Sequence, residues 1–135
     1  MRRIVRSRAA NRCEYCRSPE EFSASVFSVE HILPRSAGGA DAQDNLALCC
    51  QECNNRKYTH TSAIDPLSGE TVPLFHPRRD RWAEHFAWAE GFAVMIGLTR
   101  TGRATVEKLQ LNRPGLVALR GVLHRAGELP PPDEQ

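Results

Sequence analysis

The pattern of apolar and polar positions divides the chain into two stretches of different character. In the first stretch, β-branched and aromatic residues in "FSASVFSVEHI" predict one or two short strands, and "LALCC" predicts a brief extended segment. A short basic helix that ends near Asn11 is predicted before them, and a helix with a polar outer face is predicted in "QECNNRKYTH". Proline and paired glycines make "LPRSAGGADAQDN" a loop between the extended segments.

The second stretch changes from a loop to strand and helix patterns. Three prolines and a glycine in "PLSGETVPLFHPRRD" predict a loop or linker. Two strands joined at Glu90-Gly91 are predicted in "HFAWAEGFAVMIGLT". Two helices follow, the first capped by Thr101 and the second closed by Gly127. The proline-rich tail, 128–135, is predicted to be disordered.

Composition and charge narrow the class of protein. The 135 residues, 41% hydrophobic and 25% charged, suit one globular domain with a modest core. No apolar run reaches the roughly 18 residues of a membrane span, and none follows the N-terminal arginines as in a secretion signal, so we expect no membrane partner and a cytoplasmic location. Five arginines and no acid occupy residues 1–12. A basic segment of this kind suits the binding of nucleic acid, although a solvated helix face explains the charge equally well.

The cysteines have the spacing of a metal site. Cys13 and Cys16 form one C-x-x-C pair, Cys50 and Cys53 form another, and two such turns complete a tetrahedral Cys₄ site suited to Zn²⁺. Four protein ligands leave no open coordination position, so the zinc is expected to be structural. A redox C-x-x-C or a chance pairing is the alternative. Cys49 is left over, and we expect it to be a small buried residue or a free thiol.

The polar residues between the cysteine pairs have ordinary explanations when each is taken alone. Glu30 and His31 suit the surface at a strand end, Asn45 suits a loop, and Asn54 suits a solvated helix face. Their combined order is more specific. The stretches "CEYC", "VEHILPRSAGG" and "DNLALCCQECNNRK" resemble the HNH nuclease family, whose core is a ββα-metal finger. The resemblance covers residues 13–57 and says little about the rest of the chain.

The resemblance implies a role for each residue of the motif. His31 matches the histidine that serves as general base, and Asn45 matches the asparagine that fixes the loop and thereby the base. Glu30 and Asn54 match two ligands of a catalytic divalent cation, which would be Mg²⁺, Mn²⁺ or another. The four cysteines match those that hold a structural zinc in the zinc-knuckle members of the family.

These residue types suit phosphodiester hydrolysis. A neutral imidazole can take a proton from water near pH 7. A divalent cation can stabilise the charge that develops on the leaving 3′ oxygen. Because neighbouring residues of a regular strand point to opposite faces, we predict that the strand ends or bends at Glu30 and His31, so that both side chains can serve one site.

Basic residues around the motif are candidate contacts to nucleic acid. Arg35 lies in the loop of the motif, and Lys57 lies one turn beyond Asn54 on the predicted helix. A merely solvated charge is an equal alternative for Lys57. Arginines of the N-terminal helix are further candidates for phosphate contacts, namely Arg2, Arg3 and Arg6.

The resemblance and the pattern together predict an α+β fold with a small ββα-metal core at 13–60, bracketed by the Cys₄ zinc site. A basic helix, 1–12, precedes this core, and a C-terminal extension, 61–127, of a hairpin and helices packs on it.

The predicted function is that of a metal-dependent HNH endonuclease that hydrolyses phosphodiester bonds in DNA. The alternative is a zinc-stabilised module that binds nucleic acid without cutting it, and a protein-interaction domain is a third reading. Sequence specificity, pathway and a possible homodimer are not readable from the sequence.

Overall fold

The computed structural model of the protein describes residues 1–129. The chain forms two compact units: the first contains Met1–Thr61 and His76–Asp80, and the second contains Ser62–Phe75 and the described residues from Arg81 onward. Short antiparallel strand pairs and helices make up the chain, so the predicted α+β class is confirmed. Within residues 1–129, no helix is both long and apolar enough to cross a bilayer.

The first unit has the strand–strand–helix order that the motif predicts. Its helices and strands are α1 (Arg2–Arg8), β1 (Ser28–His31), β2 (Leu46–Cys49) and α2 (Gln51–Lys57). Short 3₁₀ turns lie at Glu20–Phe22, Arg35–Ala37 and Gln43–Asn45. The β-branched stretch before the Glu-His pair therefore forms one strand.

β1 and β2 pair at the centre of the first unit. They run antiparallel, with Glu30 opposite Ala47 and His31 opposite Leu46. All four residues of β2 are buried. This burial explains why "LALC" is apolar throughout, because a strand that is covered on both faces needs no polar side.

The basic helix is shorter than the sequence indicates. α1 ends at Arg8 rather than near Asn11, because Ala10 and Asn11 adopt left-handed backbone angles with φ of 53° and 56°. The backbone N–H of Asn11 donates to the carbonyl of Arg6 at 3.0 Å. Such a bond closes a helix and turns the chain away from its axis.

The second unit begins with a hairpin that the sequence pattern did not predict, because the prolines in this stretch indicated a loop. β3 (Ser62–Ile64) pairs antiparallel with β4 (Thr71–Pro73), so the loop or linker predicted for 66–80 is wrong over Thr71–Pro73. The carboxylate of Asp65 closes the turn by accepting the N–H groups of Leu67 and Ser68. Proline is tolerated in β4 because it is the last residue of a strand with only one neighbour.

The predicted hairpin and both predicted helices are present in the second unit. Its further elements are α3 (Trp82–His85), β5 (Phe86–Trp88), β6 (Met95–Gly97), α4 (Arg100–Leu109) and α5 (Pro114–Arg125). β5 and β6 pair antiparallel. The cap of α4 is Thr99 and not Thr101, because the Thr99 hydroxyl accepts the N–H of Gly102 at 3.0 Å.

The core of the second unit is chiefly apolar, although Asp65, Thr105 and Arg120 are also buried there. It contains Phe75, Phe86, Met95, Leu109, Leu111, Leu116 and Leu123. Beyond α5, the N–H of Glu128 donates to the carbonyl of Leu123 at 2.8 Å, and Leu129 is buried. The rest of the predicted disordered tail, 130–135, lies outside the described residues. The packing of the extension on the core stays a prediction.

Candidate metal centre and catalytic site

The two C-x-x-C pairs converge in the interior of the first unit. The sulfur atoms of Cys13, Cys16, Cys50 and Cys53 all lie within 4.8 Å of one another, and all four residues are buried. The Sγ atoms of Cys16 and Cys50 are 3.8 Å apart. A tetrahedral zinc with bonds of about 2.3 Å separates its sulfur ligands by about 3.8 Å. The cluster therefore has the dimensions of a zinc site.

Local structure sets the positions of these sulfurs. Cys50 caps α2, and the N–H of Cys53 donates to its Sγ at 3.4 Å. The N–H of Cys16 points to the Sγ of Cys13 at 3.5 Å in the same way. Burial raises the pKa of the Cys13 thiol, whereas hydrogen bonds from the other cysteines lower the pKa of Cys16. Four buried thiolates repel one another, so they persist together only around a cation.

Buried polar contacts tie the first cysteine pair to β2. Glu14 exchanges backbone and side-chain hydrogen bonds with Leu48, at 2.9 Å and 2.8 Å. The other carboxylate oxygen of Glu14 pairs with Arg78, whose side chain is largely buried. Residues 76–80 thus belong to the first unit although a whole hairpin separates them from it in the chain. Nothing in the spacing of "HPRRD" indicates this return.

His31 stands at the end of β1 with a hydrogen-bonded carboxylate beside it. Its Nε2 is 2.5 Å from Oδ1 of Asp41, and the same oxygen accepts Nε–H of Arg35 at 3.1 Å. The His31 side chain is 17% exposed and that of Asp41 is 66% exposed. The bond from His31, and after it the bond from Arg35, holds the pKa of the Asp41 carboxyl below its usual value. The imidazole of His31 is therefore partly buried, whereas the carboxylate of Asp41 is exposed to solvent.

Asn45 fixes the loop that follows His31. Its Oδ1 accepts the N–H of Leu33 at 2.8 Å, and its Nδ2 donates to the carbonyls of Leu33 and Ala40, both at 3.0 Å. The backbone carbonyl of Asn45 also accepts the N–H of Ile32 at 2.8 Å. One side chain thus joins the beginning of the loop to its end. The contacts agree with the loop-fixing part of its predicted role, while a role in catalysis stays a prediction.

Glu30 and His31 leave the strand on different sides. β1 ends at His31, as predicted, but both residues are still paired in regular register with β2. Side chains alternate along a regular strand, so the convergence of Glu30 and His31 on one site stays a prediction. The charge of Glu30 acts on Lys57 of α2. Lys57 is three residues past Asn54, and residues at this spacing are neighbours on a helix surface. The structure thus brings His31 to Asp41, while the pairing of Glu30 with Asn54 around a cation stays a prediction.

Comparison with known proteins identifies a family that the first unit matches. Residues 13–60 match the family model described as HNH endonuclease. The segment 13–60 is an HNH endonuclease domain. The chain is also 28% identical over 112 residues to the Septu protein PtuB of Bacillus thuringiensis, across 76% of this chain and 37% of that protein. The chain therefore spans little more than a third of this curated relative. No solved structure matches the chain.

One predicted nucleic-acid contact, Lys57, lies in a different environment from the one that the sequence suggests. Lys57 is only 5% exposed, and its ammonium donates to the carbonyl of Ile32 at 2.9 Å, so it is neither a solvated charge nor an open phosphate contact. Burial lowers the pKa of Lys57, and the charges of Cys49 and Glu30 oppose this shift. Arg6 forms an ion pair with Glu20 and also donates to the carbonyl of Phe27. Lys57 therefore bonds inside the first unit, whereas the Arg6 side chain is 24% exposed and its phosphate contact stays a prediction.

The other basic candidates remain at the surface. Arg2 and Arg3 are exposed on α1. The side chain of Arg35 is 71% exposed, although its Nε donates to Asp41. Phosphate contacts of these three residues stay predictions. Asp41 is the site residue that sequence reasoning missed, because no spacing rule links it to a histidine ten positions earlier across a glycine-containing loop.

Proposed function

We propose that the protein is a metal-dependent endonuclease that hydrolyses phosphodiester bonds in DNA. One observation carries the proposal: inside the HNH domain, the half-buried imidazole of His31 stands at the end of β1, beside a loop that Asn45 clamps at both ends. A base for hydrolysis needs both shelter from bulk water and an open approach for one water molecule. This position offers both.

In this proposal, His31 takes a proton from the attacking water. Glu30 and Asn54 provide oxygen ligands for Mg²⁺, Mn²⁺ or another divalent cation. When bound, such a cation would supply positive charge that stabilises the negative charge developing on the phosphate and the leaving group. Asn45 keeps the loop in place during the reaction. The four cysteines hold Zn²⁺ for structure, since all four of its coordination positions are protein sulfur.

The proposed substrate and location rest on charge and on cysteine chemistry. Arg2, Arg3 and Arg35 are exposed cations suited to the phosphates of DNA. All five cysteines are free of disulfides, which suits a reducing cytoplasm. One such site cuts one strand, so a double-strand break would require a homodimer or two successive nicks.

The test is cleavage of supercoiled plasmid in Mg²⁺ or Mn²⁺. We expect nicking by the wild type and its loss in His31→Ala, with zinc content and circular dichroism unchanged. His60→Ala is the matched control, because His60 is an exposed histidine of the same domain to which no role is assigned. Cleavage by His31→Ala at the wild-type rate would contradict the assignment of His31 as the base.

A second candidate function is a zinc-stabilised module that binds nucleic acid without cutting it. The observation that favours it is the ligand set of the catalytic cation, in which Asn54 is a neutral amide and Glu30 the one carboxylate. Weak cation binding follows from such a set. Salt-dependent DNA binding without cleavage in any divalent cation would favour this function over the first.

A further inference from the structure

We propose that Asp41 is a positioning residue for His31: its carboxylate accepts the proton on Nε2 and so leaves Nδ1 as the atom that takes the proton from water. The inference rests on the proposed function, since it names how the same site is prepared for reaction. It concerns a residue that the motif does not contain.

The hydrogen bond itself determines which ring nitrogen carries the proton. An ionised carboxylate can only accept, so the nitrogen that faces it must be the donor. Nε2 faces Oδ1 of Asp41 at 2.5 Å. Asp41 is exposed and has Arg35 on the same oxygen at 3.1 Å, both of which favour its ionised form. In the neutral imidazole, Nδ1 is then the lone-pair nitrogen.

The loop between the two residues is built to bring them together. Gly38 has φ of 88°, which a residue with a side chain rarely adopts. Gly39 passes so close to Leu33 that a Cβ there would lie 1.8 Å from the Leu33 carbonyl oxygen. Asn45 then holds the carbonyl of Ala40, the residue directly before Asp41. The loop-fixing asparagine therefore acts on His31 through Asp41.

The proton balance shows what Asp41 contributes. An O–H bond of water breaks, its proton goes to Nδ1, and the oxygen forms a bond to phosphorus while the bond to the leaving 3′ oxygen breaks and that oxygen keeps the electron pair. The imidazole becomes an imidazolium with both nitrogens protonated. The carboxylate of Asp41 stays ionised and stabilises this cation, as an oriented carboxylate does for other histidine bases.

The variants Asp41→Asn, Asp41→Glu and Asp44→Asn separate positioning from other effects of charge. Asp41→Asn removes the charge and keeps the shape of the side chain, and Asp41→Glu restores the charge. Asp44→Asn is the matched control, because Asp44 is an exposed acid of the same segment, three residues away. All proteins are compared as the full chain with zinc bound. The readouts are plasmid nicking, with kcat and KM determined separately, and the ¹⁵N spectrum of the His31 ring under conditions where it is neutral.

We expect Asp41→Asn to lower kcat roughly 10- to 100-fold with little change in KM, and Asp41→Glu to recover part of the loss. The ring of His31 should carry its proton on Nε2 in the wild type and in Asp44→Asn, and on a mixture of both nitrogens in Asp41→Asn. A wild-type ring protonated on Nδ1, or an unchanged kcat in Asp41→Asn, overturns the inference. A wild type that shows the Nε2–H form but cuts no DNA supports the contact and contradicts the proposed function, so the two failures are distinguishable.

Discussion

Both units bury apolar side chains, but within the described residues the first unit also contains a buried cluster of four cysteines. In the first unit, Cys13, Cys16 and Cys53 are at most 1% exposed and lie at the centre. In the second unit, Phe86, Met95 and Leu109 are at most 2% exposed. Apolar side chains stabilise a fold in proportion to the area that they bury. Four converging thiols stabilise it chiefly through the cation that they bind. We therefore expect the stability of the first unit to depend on a bound metal ion as well as on its apolar core, and that of the second unit on its own residues.

Loss of the metal should have the largest effect, and it should lower the stability of the first unit far more than that of the second. We expect Cys53→Ser to abolish zinc binding and to cost the first unit on the order of 10 kcal/mol of apparent stability. Protection of the second unit should persist, because its core contains none of the ligands. Zinc content and amide hydrogen exchange, resolved by segment, provide the measurement.

Cys49→Ala is the control for this prediction. Cys49 is as deeply buried as the ligands but is not one of the four converging sulfurs. It should keep one zinc per chain and the exchange pattern of the wild type. Retention of zinc and of first-unit protection in Cys53→Ser would contradict the assignment of the cluster as the metal site.

A smaller effect is expected from Gly39, which approaches the Leu33 carbonyl closely in the loop after β1. Gly39→Ala should destabilise the first unit by about 3 kcal/mol, because the new Cβ collides with a backbone carbonyl. Gly115→Ala in α5 meets nothing within 4 Å and should stabilise the second unit by up to about 1 kcal/mol. Denaturant unfolding of each variant measures both values. Changes of opposite sign in the free energy of unfolding would support the comparison between the two units. A Gly39→Ala variant as stable as the wild type would mean that the loop is not held as tightly as its contacts indicate.

The smallest effect concerns Asp65 in the second unit and depends on pH. Nε and Nη2 of Arg103 both donate to Asp65 at 2.9 Å, and these bonds hold the pKa of Asp65 far below its usual value. A carboxyl with a lower pKa in the folded state contributes stability that is complete above its unfolded pKa of about 4. This contribution is lost as the pH falls toward the folded pKa.

Asp65→Asn should therefore be less stable than the wild type at pH 7, and the difference should narrow in acid. Thermal unfolding across this range is the measurement. Glu70→Gln serves as the control, since the pair of Glu70 with Arg100 is more than half exposed on both sides and should contribute little. A difference that stays constant down to pH 3 would show that the carboxylate charge of Asp65 is not what stabilises the turn.

Local spacing was sufficient to predict contacts between residues within one turn, and a long motif was sufficient to predict the domain. Two cysteines three residues apart converge at a turn whatever the rest of the chain does, so the four sulfurs could be predicted to meet. The order of Glu30, His31, Asn45 and Asn54 between them predicted the HNH domain, which the family match confirms. Pattern also predicted the hairpin of β5 and β6, because its strands are contiguous and its turn contains a glycine.

The errors concern side chains whose partners lie far along the chain. Lys57 was a candidate contact to nucleic acid or a solvated charge, and Arg6 was a candidate phosphate contact. Arg6 pairs with a glutamate fourteen positions away, a contact that its spacing does not indicate. Lys57 bonds a carbonyl twenty-five positions away. A long cationic side chain is compatible with either environment. Only packing selects between them.

The sequence by itself determined the chemistry available to this protein: four thiols for zinc, an imidazole at a strand end, and a carboxylate and an amide suited to a harder cation. Tertiary structure alone decided how these groups are held. It bent a glycine-containing loop back until Asp41 reached His31, and it returned residues 76–80 to the first unit through Arg78 and Glu14. The physical reason is the short range of a hydrogen bond. Residue type states which bonds are possible, but a separation of about 3 Å is reached only after the backbone has closed its loops.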